Sequence, residues 1–268
     1  MTTKITFHGA AGTVTGSSYR IEHAAGVFMV DCGMFQGNRS VRDLNYRDFP
    51  FDPESLDYLI VTHAHIDHVG LVPKLVAKGF DAPVFSTAAT KDLMGFMLPD
   101  SAKIQESDAE RRNRKNLREG KAKVTPAYTT DHARAALRLV KTRAYGNWFS
   151  PGRGVRARFW NAGHILGSAS VELEIGDGGT AERPLRMLFS GDLGPDEKMF
   201  HPDPDAPAGF DYILCESTYG GVNRPDVTLE ERSANLGREI RMAMERGGNL
   251  IIPSFAVERS QEPVSYTH

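Results

Sequence analysis

The sequence has little cysteine, no long apolar run and no surplus of either charge. Its two cysteines, Cys32 and Cys215, each lie inside an apolar, strand-like segment, which favours a buried small hydrophobic residue over a metal-binding or catalytic one. Nothing therefore indicates a secreted fold held together by disulfides. Because no segment is long enough to span a membrane and the first residues form no apolar signal core, we expect a cytoplasmic protein without membrane contact.

The near balance of charge excludes a globally basic nucleic-acid-binding protein. With 32 basic and 34 acidic residues, the formal net charge is −2, so any site for a polyanion must be a local patch. The composition, 40% hydrophobic and 25% charged, is that of a globular chain rather than a disordered one. A length of 268 residues fits one large α/β domain as well as two small ones.

The chain does contain a dense group of metal-binding side chains between residues 62 and 70. Three imidazoles and one carboxylate fall within six residues: His63, His65, Asp67 and His68. The apolar, β-branched segment 57–62 precedes them and predicts a buried strand, and a short helical pattern follows over 70–79. The group is therefore expected on a loop at the end of a core strand, where a rigid scaffold orients side chains.

This combination of side chains suits zinc and similar first-row metal ions. In an extended loop, residues two apart point the same way, so His63 and His65 can chelate one ion. Asp67 and His68 would then turn towards a second ion nearby. The alternative is a polar turn whose histidines only form hydrogen bonds. Three histidines and an aspartate beside an apolar strand favour the metal site.

A further acidic residue, Asp31, ends the apolar segment 26–31 and begins the stretch Asp31-Cys-Gly-Met-Phe-Gln-Gly37. A carboxylate at the end of a core strand is costly to bury unless a partner compensates it. From the residues alone, Asp31 either shapes an ordinary turn or orients a metal-binding histidine.

The stretch His63-Ala-His-Ile-Asp-His68 resembles the signature loop of the metallo-β-lactamase superfamily, whose members are metal-dependent hydrolases with an αββα sandwich. That resemblance implies the same α/β fold here, with one more histidine and one more aspartate at later strand ends. We identify them as His164, in a glycine-flanked turn between two alternating strands, and Asp192, after the apolar strand 185–190.

Four stretches are similar to the β-CASP branch of that superfamily, the RNA- and DNA-processing enzymes that include RNase J and the nuclease subunit of mRNA 3′-end processing. They are Asp31–Gly37, Gly163–Ala169, Glu216–Gly220 and Pro253–Gln261. The first of them favours the histidine-orienting role for Asp31. In this branch, the acid that matches Glu216 holds a general-acid histidine supplied from further along the chain.

The resemblance implies a ribonuclease with two zinc ions per chain. The implied metal ligands form two sets, with Asp192 shared between the ions: His63, His65 and His164, then Asp67, His68 and Asp192. A hydroxide bridging the ions would attack the phosphorus of single-stranded RNA, from an end or internally. The candidate catalytic residues are Asp31, Asp67 and Glu216, and a homodimer is compatible with the sequence.

Residues 96–150 predict a helical excursion between two core strands. A helix over 87–98 leads into a charge-rich stretch, and a second amphipathic helix is predicted over 130–143. Between 111 and 123, seven basic residues face a single acid, Glu119. This run is either a solvated helix face or a surface that contacts phosphates. In the second case four residues are the candidate RNA contacts: Arg111, Arg112, Arg114 and Lys115.

The last part of the chain departs from the pattern of the branch. We take 1–262 as one metallo-β-lactamase domain with a last strand over 248–252 and a helix from Pro253, and expect the β-CASP lid domain where the chain instead stops. Residues 263–268 abandon the helical pattern and are interpreted as a foreign tail, so His268 is not taken as a ligand. Without the lid and the later histidines, we expect this chain to bind metal but to cleave RNA weakly or not at all.

Two other functions could use the same residues. A hydrolase of a small ester, lactone or thioester would keep the metal ligands but would need a closed pocket and no lid, and the stretch Glu216-Ser-Thr-Tyr219 argues against it. A metal-dependent scaffold protein without activity would be expected to have lost some of the six ligands, and all of them are present.

Overall fold

The first of two β-sheets carries the strands that end beside the predicted metal loop. The computed structural model of the chain describes residues 2–176, 183–196, 202–223 and 227–254. In spatial order, the six strands of this sheet are β1 (Lys4–Gly9), β2 (Ser18–His23), β3 (Gly26–Cys32), β4 (Tyr58–Ile60), β5 (Val84–Ser86) and β6 (Val140–Thr142). From β3 to β6 the pairing is parallel, so the carboxyl ends of β3 and β4 lie at the same edge of the sheet.

The second sheet is formed by the later part of the chain. Its five strands are β7 (Phe149–Gly152), β8 (Val155–Asn161), β9 (Ala169–Ile175), β10 (Leu185–Phe189) and β11 (Tyr212–Leu214), in the spatial order β11-β10-β9-β8-β7. Strands β7 to β10 are antiparallel, whereas β11 runs parallel to β10 at the edge of the sheet. Both sheets are therefore of mixed type.

Six α-helices accompany the sheets in the described part of the chain. They are α1 (Arg39–Arg42), α2 (Ile66–Val69), α3 (Val72–Ala77), α4 (Ala88–Arg118), α5 (Thr130–Leu139) and α6 (Leu229–Glu245). The longer helices α4, α5 and α6 each begin after a threonine whose hydroxyl accepts a hydrogen bond from the backbone N–H three residues on. This N-cap satisfies one of the otherwise unpaired donors of the first turn.

Strand β3 has a core on each of its faces because successive side chains alternate between them. Phe28 and Val30 pack against the second sheet, while Met29 packs against the side of the sheet covered by helices. From the second sheet, Val171 and Leu173 of β9 fill the same inter-sheet core. A nearly continuous apolar strand is expected where both faces are covered. The predicted α/β sandwich is confirmed.

The helical excursion differs from its prediction in two places. Helix α4 is one helix of 31 residues that continues through Pro99, so the predicted end at residue 98 was wrong. The second predicted helix, over 130–143, ends at Leu139, because the residues that follow form β6 and Val140 pairs with Val84 of β5. The excursion therefore contributes an edge strand to the first sheet.

The structure also corrects the end of the chain and one cysteine. No strand forms over 248–252, and the apolar side chains of 250–252 are exposed. Residues 255–268, which hold most of the helix predicted from Pro253 and the predicted tail, lie outside the described residues. Cys32 is buried as predicted, but Cys215 is exposed because it follows β11, the edge strand of the second sheet.

No helix in the described ranges combines the length and the apolar character needed to cross a membrane.

Candidate metal centre

The loop after β4 is extended through His65 and then turns into the short helix α2. His65 is the N-cap of this helix, and Asp67 and His68 lie inside it. The ring of His68 nevertheless stays next to that of His63, with centroids 4.0 Å apart. Only the first half of the loop is extended, and the division of its side chains into two sets of ligands therefore stays a prediction.

Four side chains converge in a way that fits a metal ion. His63, His65, His164 and Asp192 each offer one ligand atom, and these atoms all lie within 4.8 Å of one another. The Nδ1 atom of His65 lies 3.1 Å from Nε2 of His63 and 3.1 Å from Nε2 of His164. Three imidazole nitrogens and a carboxylate are a donor set that zinc prefers. The structure thus brings together His164 and Asp192, which the sequence places far from the loop.

The carboxylate of Asp192 lies between this cluster and His68. Its Oδ2 atom is 3.4 Å from Nε2 of His164 and 3.8 Å from Nε2 of His63. Its Oδ1 atom is 3.1 Å from Nε2 of His68. One oxygen therefore faces each of the two predicted sets of ligands. His68 and the carboxylate of Asp67 lie outside the cluster of four.

Asp31 supports both histidines that flank it. It is fully buried at the end of β3 with a φ of 57°, a backbone conformation that aspartate tolerates better than most residues. Its carboxylate accepts hydrogen bonds of 2.8 Å from the N–H and from the hydroxyl of Thr62, and it lies 2.8 Å from Nδ1 of His68. The same Thr62 hydroxyl is 3.0 Å from Nδ1 of His63. A buried carboxylate therefore fixes the rings of His68 directly and of His63 through Thr62.

Thr62 is a residue of the site that the sequence did not single out. Its only signal is its place directly before the first histidine and after the apolar strand. Besides holding the Asp31 carboxylate, its carbonyl oxygen accepts a hydrogen bond of 2.9 Å from the N–H of Ala169 in β9. Thr62 therefore ties the two sheets together at the edge where the ligands meet.

Burial and neighbouring charges shift the pKa values of His63 and His68 in opposite directions. Burial and the neighbouring imidazoles hold the pKa of His63 well below its ordinary value, so its ring is neutral and can donate a lone pair. Burial alone would lower the pKa of His68, but hydrogen bonds with Asp192 and Asp31 raise it to about 10. Burial raises the pKa of Asp67. Two carboxylates around His68 thus favour a positive charge there, from a proton or from a metal ion.

Glu216 lies beside this centre, in the wall of a cavity of about 550 Å³ that we call the metal-side cavity. The cavity also reaches His68 and Asp192. The Glu216 carboxylate accepts hydrogen bonds from the N–H groups of Leu193 (3.4 Å) and Thr218 (3.0 Å). Since Leu193 directly follows Asp192, these bonds hold the Glu216 carboxylate close to Asp192.

The four candidate RNA contacts, which we call the basic cluster (Arg111, Arg112, Arg114 and Lys115), are not brought to this centre. The start of α4 touches it, because the hydroxyls of Thr87 and Thr90 donate to the carbonyl of Gly167 near His164. At about 1.5 Å per residue, the basic cluster lies roughly 36 Å further along the helix. All four of its side chains are exposed. In the cluster, Arg111 and Lys115 pair with acids of the same helix end.

Comparison with known proteins agrees with this geometry. The family model described as the metallo-beta-lactamase superfamily matches residues 11–226. A protein of Thermus thermophilus named as a ribonuclease is 37% identical over 262 residues, which is 97% of this chain and 54% of that protein. A transcription termination factor of Methanothermobacter thermautotrophicus is 31% identical over 237 residues, 87% of this chain and 34% of that protein. The chain thus spans about a third to a half of the length of these relatives.

Among solved structures, a metallo-beta-lactamase of Cronobacter sakazakii aligns with this chain over part of its length. It aligns with a TM-score of 0.39 and 18% sequence identity over 66% of this chain and 53% of that chain.

Proposed function

The chain belongs to the metallo-beta-lactamase superfamily, and from this premise we propose that it is a zinc-dependent hydrolase of RNA phosphodiester bonds, of the β-CASP branch. The observation that carries the proposal is the position of Asp192, with one carboxylate oxygen facing the cluster of three histidines and the other facing His68. A carboxylate placed in this way suits a pair of ions. The names of the relatives, a ribonuclease and transcription termination factors, support RNA as the substrate class.

In this proposal each residue of the centre has a distinct task. The two sets of ligands are His63, His65 and His164, and Asp67, His68 and Asp192. When bound, two zinc ions supply an ionised water as the nucleophile at neutral pH and neutralise charge on the phosphodiester. Asp31 keeps the proton of His68 on Nδ1, so that Nε2 is free to act as a ligand. Glu216 would orient a proton donor for the leaving oxygen, a role that the resemblance assigns to a histidine from further along the chain.

The small-substrate alternative finds no support in the cavity. A hydrolase of a lactone or thioester needs a pocket that encloses its substrate. The metal-side cavity is instead walled in part by exposed side chains, among them Val14 and Ile213. An open cavity of this kind suits a polymer that extends beyond it. We therefore propose a cytoplasmic RNA-processing enzyme rather than a small-molecule hydrolase.

We expect the zinc-loaded chain to cleave labelled single-stranded RNA slowly, a chelator to stop this slow cleavage, and added zinc to restore it. The same preparation should leave a panel of lactones, thioesters and β-lactams unchanged. Elemental analysis after gentle purification should find about two zinc ions per chain, because six ligands in two sets suit two sites. Hydrolysis of a small ester without any cleavage of RNA would replace this proposal by its alternative.

The basic cluster is proposed to contact phosphates of the RNA at a distance from the cleaved bond. Arg112 and Arg114 are the members to change, because they form no ion pair within the described ranges and their loss should not disturb α4. Replacing both by glutamate should weaken RNA binding about tenfold at low salt and reduce its salt dependence. Arg138 and Lys141 are also exposed but lie outside the basic cluster, so replacing both of them by glutamate is the matched control.

Fluorescence anisotropy of a labelled single-stranded RNA at several salt concentrations measures both effects. If the two reversals weaken binding equally, the basic cluster is only a solvated helix face and the loss comes from net charge.

A further inference from the structure

The metal-side cavity has an apolar half that the proposed hydrolysis does not use. Three large apolar side chains stand on its walls with much of their surface exposed: Phe7 (51%), Val14 (60%) and Ile213 (59%). They come from β1, from the glycine-rich turn after it, and from β11. Single exposed apolar residues are ordinary, but three that converge on one cavity from separate parts of the chain indicate a binding surface.

This apolar half is continuous with the metal centre. The same cavity is lined by His68, Asp192 and Glu216. A group that occupies the apolar half would therefore lie next to the phosphodiester that the centre holds. The cavity volume of about 550 Å³ is within the range of sites that take a small organic group.

Phe7 is held rigidly on its inner side. Its ring meets the ring of Tyr19 edge to face, with centroids 5.5 Å apart and an angle of 87°, and Tyr19 in turn packs against Phe189 at 5.7 Å. A buttressed aromatic ring loses little conformational entropy when a flat ligand stacks on it. Phe7 is therefore a preformed stacking surface rather than a mobile side chain.

The polar groups around this surface suit a neutral ligand and not a phosphate. Among the described residues, no lysine or arginine lines the cavity. The hydroxyls of Thr13, Ser217 and Thr218 line it, and three carboxylates stand at the side of the metal centre. Hydroxyls can both donate and accept hydrogen bonds, as the edge of a nucleobase and the 2′-hydroxyl of a ribose require.

We propose that the metal-side cavity is a nucleoside subsite, in which a base next to the cleaved phosphodiester stacks on Phe7. Val14 and Ile213 cover the base from the other walls, and the polar edge of the nucleoside faces the three hydroxyls. This assignment rests on the proposed function, because it needs RNA as the substrate. The subsite would position the RNA through one of its bases and not through the charge of its phosphates.

Replacing Phe7 by alanine tests the subsite. In the zinc-loaded 268-residue chain, the dissociation constant for a short single-stranded RNA should rise about tenfold, as expected for the loss of one stacked base, and Phe7→Trp should restore binding. Phe96, an exposed phenylalanine of α4 outside the cavity (76% exposed), supplies the matched control Phe96→Ala. If Phe7→Ala fails to fold, Val14→Ser takes its place as the test. Val14 lies in an exposed turn without core contacts, and its replacement should also weaken RNA binding.

A series of RNAs, each lacking one base, locates the stacked nucleoside. At one position the missing base should weaken binding to the unaltered chain and should have no further effect in Phe7→Ala. A chemical readout is also available, because Cys215 is exposed and lines the cavity. Bound RNA should slow its alkylation, whereas an RNA without the stacked base should protect it less.

The outcomes separate the two proposals. If the unaltered chain neither binds nor cleaves RNA, the proposed function fails. If it binds RNA and both Phe7→Ala and Val14→Ser bind equally well, or if no missing base is coupled to Phe7, the subsite is wrong and the proposed function stands.

Discussion

Replacing Asp192 by asparagine is expected to remove both zinc ions and to lower RNA hydrolysis by about 10³-fold or more. The substitution keeps the shape of the side chain but removes its charge and converts one oxygen into an N–H₂ donor. Since one oxygen faces His164 and His63 and the other faces His68, both groups of ligands lose a partner at once. A ligand of only one ion would leave the other ion in place.

Elemental analysis and a titration with a zinc indicator measure this loss. Asp196→Asn is the control, because Asp196 is an exposed acid four residues further along the same segment. Retention of one tightly bound ion in Asp192→Asn would show that Asp192 is not shared.

Tested by itself, the 268-residue chain is expected to cleave RNA about 10²–10⁴-fold more slowly than the Thermus thermophilus ribonuclease, of which it spans 54%. The reason lies in Glu216, whose carboxylate is fixed beside Asp192 by two backbone N–H groups. By resemblance it orients a general-acid histidine from further along the chain. Beyond Glu216 this sequence has a single histidine, His268, which lies outside the described residues. General acid catalysis contributes a factor of this size.

Both proteins would be assayed on the same labelled single-stranded RNA, with and without a chelator. Glu216→Gln should change the rate little if the proton donor that Glu216 would orient comes from outside these 268 residues. Chelator-sensitive cleavage at a rate near that of the longer ribonuclease would show that this account of Glu216 is wrong.

The side chains of the loop could be proposed as metal ligands from their spacing after an apolar strand, whereas His164 and Asp192 were named because the resemblance implies one more histidine and one more aspartate at later strand ends. His63 follows β4, His164 lies between β8 and β9, and Asp192 follows β10. In the structure these strand ends meet at one edge of the sandwich, which brings His63, His164 and Asp192 together. The tie through Thr62 could not be foreseen, because a hydroxyl that bridges Asp31 and a histidine leaves no periodic signal.

The errors arose where pairing with distant residues decides the structure. The residues of β6 continue an amphipathic helical pattern, yet their backbone groups pair with β5, a partner that lies more than fifty residues earlier. Residues 248–252 end in three consecutive apolar residues, which predict a strand, but in the structure they pair with no described strand, although β11 lies at the edge of the second sheet. Periodicity reports which face of a segment is apolar and contains no information about its partner.

The basic cluster shows a related limit. In the sequence it lies between the metal-binding stretches, and the residues alone left open whether it contacts phosphates. A helix advances by about 1.5 Å with each residue, so the unbroken α4 carries the cluster roughly 36 Å from the end that touches the ligands. The basic cluster is therefore close to the metal-binding stretches in sequence but far from them in space, because α4 continues through Pro99.

The hydrogen bond that joins the two sheets at Thr62 has a consequence for the stability of the fold. His63 and His65 follow a strand of the first sheet, whereas His164 and Asp192 follow strands of the second. An ion held by all four would act as a removable cross-link between the two halves of the sandwich, in parallel with the hydrogen bond from Ala169 to Thr62. Because the ion would bind the folded chain and not the unfolded one, its binding raises the free energy of unfolding. The affinity for zinc would in turn depend on the stability of the packing between the two sheets.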